Sequence, residues 1–144
     1  MLLTLYYYAQ LNNYLVVGTG NKVEDFGVGF YTKYGDGGVD LSPIADLTKT
    51  EVFALGAELG VISAIQNAAP TDGLWGDDRT DEDQLGATYA ELEWAMSASE
   101  HSSKNWSPRQ QEVMEIYTRL NRANQHKMEP IPVCMLPDSI RFEG

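Results

Sequence analysis

Cysteine is nearly absent from this 144-residue chain, which carries Cys134 alone. A single thiol excludes an intrachain disulfide and a cysteine-built zinc site. It points to a reducing compartment, with Cys134 serving as a small packing residue near the tail. Positive charge is scarce as well: 10 Lys and Arg stand against 21 Asp and Glu, a formal net charge of −11. That balance repels duplex DNA and anionic lipid, so a broad polyanion-binding surface is excluded. Small anionic ligands remain admissible, because charges beyond about 8–10 Å are screened and a few lysines in a cleft outweigh a distant acidic surface. Long apolar runs are missing too. No stretch approaches the ~20 residues that cross a bilayer. The apolar opening Met1-Leu2-Leu3-Thr4-Leu5 lacks the basic flank and cleavage site of a secretory signal. These absences fit a cytoplasmic protein with no nucleic-acid or membrane partner.

What is present fits one globular domain with 43% hydrophobic residues, a size class that buries roughly 68–70% of its unfolded surface. Residues 1–11 are apolar round most of a helical circumference and predict a helix buried in a larger body, broken by Asn12-Asn13. Tyr14-Leu15-Val16-Val17 predicts a buried strand closed by Gly18, and residues 39–44 a second extended segment with Pro43 at its end. Lys22 to Phe26 predicts a helical turn or two, and Gly35-Asp36-Gly37-Gly38 is the strongest turn signal in the chain.

Thr48 with Glu51 forms a capping box, and the helix behind it should bring Val52, Leu55, Ala57 and Leu59 near one face before Gly60. A short helix over residues 61–67 follows, then an irregular Gly- and Asp-rich stretch over 71–78, then a helix opened by Thr80-Asp81-Glu82-Asp83. Ser107-Pro108 starts the last helix, with Val113, Ile116, Tyr117 and Leu120 as its apolar stripe. The tail beyond Met128, with three prolines, is expected to be coil.

The order helix, loop, apolar strand, Gly-rich loop is the grammar of a parallel α/β sheet. Yet one firm and one weaker strand rarely make an independent sheet. The expectation is therefore an α/β domain of which these residues form part.

Three segments carry a resemblance: Val16-Val17-Gly18-Thr19-Gly20-Asn21-Lys22-Val23-Glu24, then Phe30-Tyr31-Thr32-Lys33-Tyr34-Gly35-Asp36-Gly37-Gly38-Val39-Asp40-Leu41-Ser42-Pro43-Ile44, then Asp46-Leu47-Thr48-Lys49. Ala69-Pro70-Thr71, Thr80-Asp81-Glu82-Asp83-Gln84-Leu85-Gly86 and His126-Lys127 follow in order. Together they resemble ammonia-dependent NAD synthetase from Met1 to about Pro132. The resemblance implies a Rossmann-like adenine-nucleotide alpha-hydrolase fold, the pyrophosphate-loop ATPase type, with residues 1–144 as the C-terminal portion of a single NAD synthetase domain. It also implies a reaction in which ATP and Mg2+ adenylate deamido-NAD and ammonia then displaces AMP, in a homodimer.

The residue roles follow from the same resemblance. Thr19, at the carboxyl end of the first strand, is implied to contact ATP, as are Lys49 and Thr71. The last two are also the implied catalytic pair, an ammonium and a hydroxyl aimed at the oxygens of the transferred phosphoryl group. A lysine in the first turn of a helix opposes the helix dipole, which itself hints at a ligand or counter-charge. Glu24 is implied to hold Mg2+, while Lys33, Asp40, His126 and Lys127 are implied to bind deamido-NAD. Tyr34 and Trp75 could face aromatic rings, but packing is the commoner use of each.

The family's Ser-Gly-Gly-x-Asp-Ser loop, an anion nest for pyrophosphate, does not occur in the sequence. The chain alone is therefore expected to be inactive. Two alternatives stay open. One is another pyrophosphate-loop synthetase, such as a GMP-forming one. The other is a non-catalytic module that binds nucleotide or dimerises.

Overall fold

The computed structural model describes residues 2–71, 79–99 and 105–140. Its helices are α1 (Leu2–Asn12), α2 (Lys49–Glu58), α3 (Ser63–Gln66), α4 (Asp81–Leu85), α5 (Tyr89–Ser99) and α6 (Pro108–Met128). A π-helical turn (Val23–Val28) lies between α1 and α2, and a 3₁₀ turn (Asp138–Ile140) lies in the tail.

The helix starts are written in the sequence. Thr48, Thr80 and Ser107 each accept from the backbone N–H three residues on, and Glu51, Asp83 and Gln110 reach back to complete three capping boxes. Pro108 fits the first turn of α6, where a missing N–H costs nothing. That helix runs to Met128 and stops ahead of Pro130.

The core lies where α5 and α6 pack on each other and both pack on the π-helical turn. Val23, Val28, Leu92 and Val113 are fully or almost fully buried there, and Leu85 and Tyr117 close it. Burying a side chain such as Leu92 stabilises by roughly 1.5–3 kcal/mol. Polar residues on the same face of α6 finish the π-helical turn: Asn121 donates to the Gly27 carbonyl at 2.8 Å and Asn124 to that of Val28 at 2.9 Å. Gly29 then reverses the chain at φ 64°, and a Cβ there would strike Asn124.

In place of the expected parallel sheet, the two extended segments meet only as an isolated parallel bridge between Val17 and Leu41. Gly18 donates to the Leu41 carbonyl at 2.7 Å and Asp40 to that of Val16 at 2.9 Å. Among the described residues no strand longer than that bridge forms. The ladder is cut short because the Asp40 carboxylate takes the Val16 N–H at 2.8 Å, and because Pro43, which has no N–H, opens a turn. The helix over residues 2–12 forms, but only Ala9 is buried, while Leu3 is 87% exposed. The face of α2 read as apolar is open as well, with Leu55 and Leu59 exposed. Cys134, read as a packing residue, is exposed. Residues 72–78, including Trp75, lie outside the described residues.

Candidate functional site

A cleft of about 170 Å³ opens where the Gly-rich loop after Val17 meets the π-helical turn, lined by Thr19, Gly20, Glu24, Asp25, Tyr31 and Asp81 among others. Asn21, between the lining residues Gly20 and Glu24, braces the backbone behind it. Buried to 2% exposure, it offers Oδ1 to the N–H groups of Val23 at 3.0 Å and Glu24 at 3.1 Å. Those are donors that a helix start leaves without intrahelical partners. Glu24 answers by accepting the Asn21 N–H at 3.3 Å through Oε2. Its Oε1 is thereby left to Lys49 and Tyr89.

Lys49, the first residue of α2, meets Oε1 at 2.7 Å, with both side chains largely buried. The counter-charge for a lysine at a helix N-terminus is thus Glu24. Tyr89, at the start of α5, donates its hydroxyl to the same Oε1 at 2.8 Å and lies 3.3 Å from Asp81 Oδ2. The Lys49 ammonium stands 4.7 Å from the centre of the Tyr89 ring, within cation–π range. One turn along α5, Glu93 accepts both the N–H and the hydroxyl of Thr50, at 2.8 and 2.7 Å. Residues 89 and 93 share a face of α5, so that face grips the start of α2 and holds Lys49 against Glu24, a residue of the cleft wall.

Charge in the cleft is arranged unevenly. Burial, and then the neighbouring Glu24 and Asp36 carboxylates, push Asp25 up to about 6. Burial together with Glu24 and Asp81 raises Tyr89, so its hydroxyl keeps its proton and remains a donor. Glu24 suits a metal ligand: Mg2+ takes one or two carboxylates and completes its shell with water and phosphate oxygens, and Oε1 already faces a cation, the Lys49 ammonium. Among the described residues no three His, Cys, Asp or Glu gather round one point.

The other expected site residues fall into separate places. Lys33, His126 and Lys127 come together at the C-terminal end of α6. Lys33 donates to the His126 carbonyl, Lys127 donates to those of Gly29 and Tyr31 at 2.9 and 2.7 Å, and the Tyr31 hydroxyl donates to the Lys127 carbonyl at 2.6 Å. Tyr31 also lines the cleft, so this corner adjoins it. Asp40 sits at the chain bridge, accepting from Val16 N–H at 2.8 Å and the Tyr6 hydroxyl at 3.3 Å. Thr71 donates to the Arg79 carbonyl at 3.2 Å, next to the start of α4, and does not line the cleft. Tyr34 is exposed.

The model of the family described as NAD synthase matches residues 1–131. The chain belongs to the NAD synthase family. Its relatives include the NH(3)-dependent NAD(+) synthetase of Carboxydothermus hydrogenoformans, 43% identical over 133 residues, which cover 92% of this chain and 51% of that protein. The Archaeoglobus fulgidus NH(3)-dependent NAD(+) synthetase is 44% identical over 133 residues, with the same coverages. This member of the family thus spans about half the length of the curated relatives it matches. Among solved structures, NMN synthetase from Francisella tularensis superposes with a TM-score of 0.78 at 34% identity, covering 95% of this chain and 52% of that one. A Campylobacter jejuni NH3-dependent NAD synthetase shares the fold, with a TM-score of 0.66 at 23% identity, over 92% of this chain and 50% of that one. The chain therefore has the fold of the corresponding half of the NAD and NMN synthetases.

Sequence reading passed over Asn21, Asp25, Asp81 and Tyr89 as site residues. Asn21 carried a signal, an Asx residue just ahead of a helical turn. The Tyr89 hydroxyl carried none, since it meets Glu24 across 65 positions of sequence.

Proposed function

We propose that this chain is the ATP-facing and substrate-facing portion of an ammonia-dependent NAD synthetase, which converts the nicotinate carboxylate of deamido-NAD to an amide. The observation that carries the reading is the Lys49–Glu24 pair, whose Glu24 lines the cleft together with Thr19 and accepts from Tyr89 of α5, in a chain of this family. In the proposed reaction a carboxylate oxygen of deamido-NAD attacks the α-phosphorus of ATP, and the bond to pyrophosphate breaks. Ammonia then attacks the carbonyl carbon, the bond to AMP breaks, and the surplus proton leaves the nitrogen.

This chain's part is electrostatic. The Lys49 ammonium, leaving Glu24, and the Thr71 hydroxyl stabilise the charge that collects on the phosphoryl oxygens. Thr19 positions the nucleotide. Glu24 would hold Mg2+, whose contribution when bound is to neutralise phosphate charge. Lys33, His126 and Lys127, already gathered at the end of α6, supply positive charge and donors for deamido-NAD, and Asp40 accepts from its hydroxyls. We propose a homodimer by analogy with the family.

The test is a fusion that places the N-terminal half of the Carboxydothermus hydrogenoformans relative ahead of this chain. It is expected to make NAD from deamido-NAD, ATP, Mg2+ and ammonium, while the 144-residue chain alone makes none. Lys49→Ala in the fusion is expected to cut kcat by about 10²–10³, the usual cost of one transition-state donor. An active fusion indifferent to Lys49→Ala and Thr71→Val would sink the assignment.

A second acceptor has support of its own, because the 34%-identical solved structure is an NMN synthetase. Nicotinate mononucleotide therefore belongs in the same assay, with xanthosine monophosphate as the control for a GMP-forming enzyme. Preference for either over deamido-NAD would reassign the substrate.

A further inference from the structure

We propose that Tyr89 is a positioning residue that sets the separation of Glu24 and Lys49, and that it does so with two different parts of one rigid side chain. Its hydroxyl has a single proton to give, and the Glu24 oxygen at 2.8 Å is nearer than the Asp81 oxygen at 3.3 Å. Its ring face carries the Lys49 ammonium at 4.7 Å. The ring itself is locked, because Tyr89 is 5% exposed and belongs to the core shared by α4, α5 and α6. The Asn21 N–H holds one Glu24 oxygen at 3.3 Å, and Tyr89 adds a hold on the other oxygen and on an ammonium that ends four torsions. Tyr89 ties both to the core, and Glu93 anchors the neighbouring Thr50 in the same way. The inference rests on the reading of Lys49 and Glu24 as the ATP-side pair. Its consequence for that reading is that the ammonium is delivered from a fixed starting point.

The test uses the 144-residue chain without substrate. Trace acetic anhydride labelling, read by mass spectrometry, compares Lys49 with Lys22, whose ion pair with Asp46 is exposed. In the parent chain Lys49 is expected to label more slowly than Lys22. Tyr89→Phe keeps the ring and removes the hydroxyl, and it is expected to raise the Lys49-to-Lys22 ratio about threefold, the change that matches one ordinary net hydrogen bond. A purely structural Tyr89 would loosen the whole chain and raise the labelling of part-buried Lys127 as much as that of Lys49, so an unchanged Lys49-to-Lys22 ratio, or an equal rise at Lys127, overturns the proposal.

A second measurement covers the case in which Tyr89→Phe does not fold. With ring-labelled tyrosine, the Tyr89 hydroxyl proton is expected to exchange slowly in the parent chain and fast in Glu24→Ala. Exchange as fast as that of exposed Tyr7 in the parent chain equally overturns it. Both readings are made without turnover, so their failure is distinct from failure of the fusion to form the amide.

Discussion

Asp25 shows how a single carboxylate can work against the fold that holds it. It keeps its proton up to about pH 6 in the folded chain, against an ordinary value of 3.8. Between those values the folded state binds more protons than the unfolded state. Stability therefore falls as pH rises through that window, and the cost is fully present above it. Asp25→Asn is expected to stabilise the chain by about 1–2 kcal/mol at pH 7.5, a figure discounted because the group is only half buried. Near pH 3.5 the gain should vanish. Urea unfolding at the two pH values checks this, and a loss at both would contradict burial and crowding as the cause. The same carboxylate explains Gly20, where a Cβ would collide with both Asp25 oxygens. Gly20→Ala is accordingly expected to cost about 1–3 kcal/mol by overpacking, readable as a lower urea midpoint at constant slope.

The second helix of the core, α5, is the element on which both core and site depend. Leu92 is wholly buried at its centre, so Leu92→Ala is expected to cost about 2–5 kcal/mol and to melt the fold at 37 °C. Glu91 serves it twice. One oxygen caps the Thr88 N–H at 2.9 Å, and both oxygens accept the Arg109 guanidinium, at 2.8 and 2.9 Å, tying α5 to α6. The Arg109 guanidinium and the Thr88 N–H hold the Glu91 carboxyl down to about 2. A lowered acid stabilises above its ordinary value and loses that contribution as pH falls towards 2. Glu91→Gln is thus expected to cost about 1 kcal/mol at pH 7, after discounting for exposure, and nothing near pH 2. Thermal melts across that range measure it.

Thr88 and Glu91 also show what the sequence disclosed and what it withheld. Ser/Thr-x-x-Glu at Thr48 announces α2, and the same signal at Thr88 stands ahead of α5. The stripe of Val113 and Tyr117 was legible because helical periodicity is local. The strand expected at Tyr14 to Val17 was not realised beyond a bridge, because strand length depends on a neighbour's register, and here Asp40 and Pro43 interrupt it. Glu24 and Lys49 could be picked out through the family's motif. Their contact with each other, and with Tyr89, depends on how the helices pack.

At the scale of the whole molecule the balance of surface is unusual. Apolar side chains crowd the outside of α1 and the segment after it, with Leu3, Leu11, Tyr14 and Leu15 each at least 65% exposed. Isolated apolar residues on a surface need no explanation, but a contiguous patch marks a face that another body covers. The chain matches only about half of its relatives' length, and the cleft at Thr19 adjoins this patch through a second hollow lined by Leu2, Leu5, Val16 and Val17. Covering this face and forming the nucleotide site proposed above are therefore expected to be one event in the fusion. The 144-residue chain should bind a hydrophobic dye such as ANS strongly and self-associate at micromolar concentration. The fusion with the N-terminal half of the Carboxydothermus hydrogenoformans relative should lose most of that dye signal and gain ATP affinity together. Replacing Leu3 and Leu15 by Lys separates the causes. It should suppress dye binding and self-association in the isolated chain, and in the fusion it should weaken ATP binding although neither residue lines the Glu24 cleft. Dye binding that persists in the fusion, or ATP affinity untouched by the two lysines, would show that the apolar face and the nucleotide site are independent.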